Sequence, residues 1–153
     1  MGDDALFAEL SARLTDELVA AIPAWVERRV CELHDAWAGS TPPEVRAAAV
    51  AAGAAAATQL RGELDELFAL DLDEQRSNPL HHVRGLVAFP SAVLAEAGVG
   101  EVVRDADAER LFPDDVYDLT PGGFVDIAPE LHELGLAWGA SKAKAHLSRR
   151  RTP

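Results

Sequence analysis

Apolar residues in the first forty positions recur on a helical period. Leu6, Leu10, Leu14 and Leu18 repeat every four positions with Phe7 beside them, and Asp3 and Asp4 suit the positive end of a helix dipole. Residues 3–22 therefore read as an amphipathic helix. Pro23 fits a first helical position, having no amide to lose there. From it runs a second stripe of Ile22, Val26, Val30, Leu33 and Trp37, closed by Gly39. The junction at Ile22-Pro23 reads as a break between two helices or as a bend within one.

Thr41-Pro42-Pro43-Glu44 has the form of a capping box, with a hydroxyl at the cap and a carboxylate three residues on. The helix it opens is expected to run to about Leu70. Its first half, Ala47 to Ala57, is nearly all alanine, the best helix former. Its second half carries Leu60, Leu64, Leu67 and Phe68. The small face of Ala49, Gly53, Ala56 and Ala57 predicts a close approach by a neighbouring helix. Asn78-Pro79 caps a further helix with Leu80, Val83, Leu86 and Val87 as its stripe. Pro90 kinks or restarts that helix, and Gly98 ends the segment that follows.

Residues 104–128 lack a period and read as one or two helical turns between proline bends, with a turn at Pro121-Gly122-Gly123. Pro129 then starts a last helix with Leu131, Leu134, Trp138, Ser141 and Ala145 on one side. The only β-like stretch, residues 98–103, is too short and solitary to build a sheet. The expected fold is a single all-α domain over residues 1–148, a helical bundle with an irregular C-terminal half and no substantial sheet. Residues 149–153 read as a fraying basic tail.

Charge changes the picture most. The 153 residues carry 26 acidic and 14 basic side chains, a formal net charge of -12. All the acids lie in residues 1–139, where the balance is −17; residues 140–153 hold only Lys142, Lys144, Arg149, Arg150 and Arg151. The acidic body argues against duplex binding, so the basic end is the one place for an anionic partner. Two plainer roles compete there: complementing the helix dipole, or folding back on the acidic body. With 29 alanines and 12 arginines against 2 lysines, the composition matches a GC-rich coding bias, so arginine here does not signal phosphate recognition. No apolar run is long enough to span a membrane. One cysteine, Cys31, excludes an internal disulfide framework and points to the reducing cytoplasm.

Candidate chemistry is sparse. His34, His81, His82, His132 and His146 fall in no HExxH, CxxC or Glu-x-x-His pattern, and adjacent His81 and His82 point to different faces of a helix. No metal or other cofactor is expected. Cys31 and His34 share a helical face, but no third orienting group is identifiable, so Cys31 reads as a small buried hydrophobe. There is no Gly-x-Ser-x-Gly elbow and no nucleotide-binding glycine loop. The densest constellation is Phe112 to Leu119, where Asp114, Asp115 and Asp118 accompany Tyr117. Turn and capping chemistry accounts for those residue types, and the same loop can serve as an interaction face.

Several segments of the C-terminal half are similar to a small conserved protein family of high-GC Gram-positive bacteria. They are Asn78-Pro79-Leu80, Phe89-Pro90 with Val93-Leu94, Ala97-Gly98-Val99, Val103-Arg104-Asp105, the run from Phe112 through Pro121, and the run from Leu136 through Ala143. The resemblance implies lineage and compartment; it implies no activity, cofactor or catalytic residue.

The leading expectation is a non-enzymatic cytoplasmic adaptor or regulator acting through protein–protein contacts. Its contact face would be Asp114, Asp115 and Tyr117, or the basic end at Lys142, Lys144 and Arg149. The alternative is a small-molecule-binding or enzymatic domain with a pocket between the bundle and residues 104–128, using Asp115 and Tyr117 as polar groups and Trp138 as a wall. A third is a nucleic-acid accessory using the basic tail.

Overall fold

The computed structural model describes residues 2–99 and 119–151. Helix α1 spans Asp3–Ala38 and α2 spans Pro43–Ala69; a 3-10 turn over Leu72–Glu74 leads to α3 (Pro79–Gly85) and α4 (Ala88–Glu96). A second 3-10 turn, Phe124–Asp126, precedes α5 (Leu131–Arg151). The chain is all-α, with no strand among the described residues. No helix among them is long and apolar enough to cross a membrane.

The described chain falls into two compact units, and α1 and α2 contribute to both. The first comprises residues 2–21, 58–83 and 121–151; the second comprises residues 22–57, 84–99 and 119–120.

In the second unit, α1 and α2 meet backbone to backbone. Pro23 lies inside α1, which settles the Ile22-Pro23 junction in favour of one continuous helix. A Cβ placed on Gly53 would stand 2.9 Å from both the Cα and the carbonyl oxygen of Pro23, closer than side chains approach. Only glycine fits that crossing. Ala49, Ala56 and Ala57 are buried around it, as their small face predicts, and Ile22, Trp25, Val26 and Val30 supply the bulk on α1. Arg46 Nη1 donates to Glu27 Oε1 at 3.2 Å beside the contact. The other half of this unit's core comes from Leu86, Val93, Leu94 and Val99. Pro90 lies in the first turn of α4, so the helix restarts just ahead of it, and Gly98 ends the segment at φ +86°.

The turn after α1 departs from expectation. Gly39 ends the helix at φ +84°, its amide bonded to the Asp35 carbonyl at 2.8 Å. Thr41, however, does not cap α2. Its hydroxyl donates to Asp35 Oδ1 at 2.6 Å and approaches the Cys31 carbonyl at 3.4 Å, while the Pro42 carbonyl accepts the first α2 amides, those of Val45 and Arg46. The cap has moved one residue along, and the hydroxyl ties the connection back to α1. Trp37, expected on the buried stripe, is 48% exposed. The tie falls on the side of Cys31, His34 and Asp35, and Trp37 lies about 200° around the helix from Asp35.

In the first unit, α1 and α2 meet through rings, Phe7 of α1 standing edge-on to Phe68 of α2 with centroids 6.3 Å apart. Leu14, Leu18, Leu60, Leu64, Leu67 and Leu131 form the aliphatic core, and Phe7, Phe68 and Trp138 form an aromatic layer. Leu131, Leu134, Trp138, Ser141 and Ala145, the stripe read from the sequence, are all buried. Asn78 caps α3 as expected, its Oδ1 accepting the His81 amide at 2.9 Å. Before α5, the Asp126 carboxylate gathers the amides of Gly122 and Gly123 at 2.6 and 3.2 Å, setting the bend at Pro121-Gly122-Gly123. Helix α5 continues through Arg151, so the arginines expected to fray belong to the helix.

Candidate functional site

Of the residues singled out from the sequence, Asp114, Asp115 and Tyr117 lie outside the described residues, as does the pocket expected against residues 104–128. Trp138 and Lys142 are brought together on α5. The Trp138 ring centroid stands 5.8 Å from Phe7 and 6.2 Å from Phe68, and its indole N–H donates to Ser11 Oγ at 2.9 Å. Ser141 Oγ donates to the Trp138 carbonyl at 2.7 Å, and Thr15 Oγ1 to that of Ser11 at 2.8 Å. Trp138 is thus an internal support, satisfied at its one polar atom. Lys142 Nζ lies 5.2 Å from the Trp138 ring centroid, a cation–π distance, and partial burial pushes its ammonium pKa below the ordinary 10.5.

Phe7 and Phe68 of the aromatic layer also line a half-open groove of about 470 Å³ in this unit. Its walls come from the first turns of α1, the last turns of α2 and the 3-10 turn that follows. Phe7, Phe68 and Leu72 give it apolar surface, and Leu70 stands exposed beside them. Asp4, Asp65 and Asp71 add three carboxylates against one cation, Arg149. That guanidinium is already engaged, 3.6 Å from Asp4 Oδ1 and 3.3 Å from Asp73 Oδ2, while Ser148 donates to Asp3. The C-terminal end of α2 adds the negative end of its dipole. The groove is therefore apolar inside and acidic around. No sequence motif marks it, because its lining comes from three separated stretches of the chain.

A second arrangement escaped the sequence. Ser77 Oγ lies 2.8 Å from His82 Nε2, and Glu63 Oε1 lies 3.7 Å from His82 Nδ1. The order hydroxyl–imidazole–carboxylate is that of a nucleophile, its base and the group that orients the base. Two requirements of acyl transfer are unmet. The carboxylate contact is too long for a hydrogen bond, and Glu63 Oε2 is buried without a partner. The adjacent turn also lacks two of the backbone donors an oxyanion would need: Pro79 has no N–H, and the His81 amide is taken by Asn78 Oδ1. The trio pins the start of α3 to α2. His81 points away into solvent, its ring edge-on to His82.

His34 is buried near the end of α1, its Nδ1 donating to the Ser40 carbonyl at 2.8 Å, and Cys31 is buried one turn before it. Among the described residues, no group of three or more His, Cys, Asp or Glu side chains is placed to hold a metal ion. No family model matches the chain, and neither a curated protein nor a solved structure matches it.

Proposed function

We propose that the chain is a cytoplasmic adaptor or regulator that acts by holding a protein partner and performs no chemistry of its own. The observation that carries this reading is the groove of the first unit, where an apolar interior is surrounded by Asp4, Asp65 and Asp71. Such a groove fits an apolar side chain flanked by basic residues. The strongly acidic body would steer a basic segment toward it. The sole cysteine, Cys31, held as a reduced buried thiol, supports the cytoplasm as the compartment. The C-terminal resemblance supports a high-GC Gram-positive origin within the same proposal.

A photoreactive amino acid in place of Leu70 tests the reading directly. In native lysate at low salt it should crosslink one defined protein, and Asp65→Lys with Asp71→Lys should abolish the product. No product, or the same products from the charge-reversed chain, would count against it. The groove's volume also lies in the range of small-molecule clefts, roughly 300–1,000 Å³, which favours ligand binding as the second reading. A thermal shift with a cationic metabolite, in a chain that captures no protein, would promote it.

A further inference from the structure

Helix α5 has two apolar faces, and among the described residues only one of them is covered. Leu131, Leu134, Trp138, Ser141 and Ala145 are buried, while Leu136, Ala140, Ala143 and Leu147 lie on the opposite side and are exposed. At 100° per residue these four positions fall within an arc of about 60°, a narrow seam of the kind that helix pairs share. Leu136 is 59% and Leu147 49% exposed, among the most open large apolar side chains described. Two small residues between them leave room for a close neighbour.

The order of this seam suits a second copy of the same helix. The spacing from Leu136 to Ala140 to Ala143 to Leu147 is four, three, four, and it reads the same in both directions. A second α5 running the opposite way would set Leu136 level with Leu147 of the second copy, and Ala140 level with Ala143. Charge selects the same orientation. Glu130 and Glu133 flank the beginning of the helix, and Lys144 and Arg150 its end. Glu133, Lys144 and Arg150 are exposed and form no ion pair among the described residues. The antiparallel register puts Glu133 level with Arg150 of the other chain and opposes the two helix dipoles; a parallel pair would stack like charges at every level.

We infer that the outer face of α5 is the contact surface of an antiparallel homodimer, with a two-fold axis passing between Ala140 and Ala143. One helix of 21 residues, about 31 Å long, presents less than the roughly 800 Å² per partner of a standard interface. The dimer is accordingly weak, forming in the micromolar range or above. It uses a surface separate from the groove and stands whether or not the groove binds a partner.

Sedimentation velocity on the full chain, from low-micromolar to several hundred micromolar, reads the association directly. A reversible monomer–dimer equilibrium is expected, abolished by Leu136→Asp or Leu147→Asp with the helical circular dichroism melt preserved. Glu133→Arg or Arg150→Glu alone should weaken the dimer about threefold at low salt, and the two together should restore it. Orientation is read in a Cys31→Ala background. A mixture of Ala140→Cys and Ala143→Cys chains should form a mixed disulfide in preference to either self-pairing. A monomer at every concentration, a dimer surviving both Leu→Asp changes, or preferential self-pairing of Ala140→Cys would each overturn the inference.

Discussion

The helices α1 and α2 meet in both units, and they solve the contact in opposite ways. In the second unit they touch through backbone, with Gly53 against Pro23 and alanines alongside. In the first they meet through Phe7 and Phe68, with Trp138 of α5 completing the layer. The small-residue contact has no room to grow, and the aromatic one has much to lose by truncation. The difference bears on function. Close backbone contact leaves no room for a groove, whereas two of the rings through which the helices meet, Phe7 and Phe68, line one.

The largest test of the aromatic side is Trp138→Ala, which should cost about 3–5 kcal/mol in urea denaturation through loss of packing and the cavity left behind. A loss under about 1 kcal/mol would show that the layer is not what supports this unit. The small-residue side is tested by Gly53→Ala, expected to destabilise by about 1–3 kcal/mol because its methyl must displace Pro23 backbone. Its control lies on the same helix. Gly62 has open space around its Cβ position, so Gly62→Ala should stabilise by about 0.5–1 kcal/mol from helix propensity alone. The same sign for both glycines would dissolve the contrast.

The smallest effect concerns Lys142. Because burial lowers its folded-state pKa, the unfolded chain binds more protons in the alkaline range beneath 10.5. The cost of holding the ammonium against Trp138 is thus fully present at neutral pH and is relieved as pH rises toward 10.5. Relative to Lys142→Met, the native chain should gain stability across that window. A difference that stays flat with pH would remove Lys142 from the account.

Periodic features were legible in the sequence. The α5 stripe, the alanine-rich α2 with its small face, the Asn78 cap and the glycine stops at Gly39 and Gly98 all rest on local rules, and local rules need no knowledge of neighbours. Competing partners defeated the rest. Thr41 could cap α2 or bond to Asp35, and nothing in the string ranks the two. Trp37 fits the apolar period but falls on a side of α1 that the link at Asp35 leaves uncovered. The groove draws Phe7, Phe68, Leu72 and Arg149 from distant segments, and Ser77 meets His82 and Glu63 only once α2 and α3 are in place. At the basic end, Arg149 takes one of the two plainer roles by folding back onto Asp4 and Asp73, while Lys144 and Arg150 stay exposed.

Cys31 is the chain's single cysteine and is 8% exposed, in the part of α1 that the Thr41 hydroxyl holds closed. A thiol reagent can react fully with its sulfur only when this helix end opens. With reclosing fast, the labelling rate measured against an unfolded control gives the free energy of that opening; with excess reagent it approaches the opening rate itself. Removing the Thr41 hydroxyl should therefore speed labelling well before it moves the melting temperature. One native side chain, with no engineered probe, serves as a clock for the motion of that helix end.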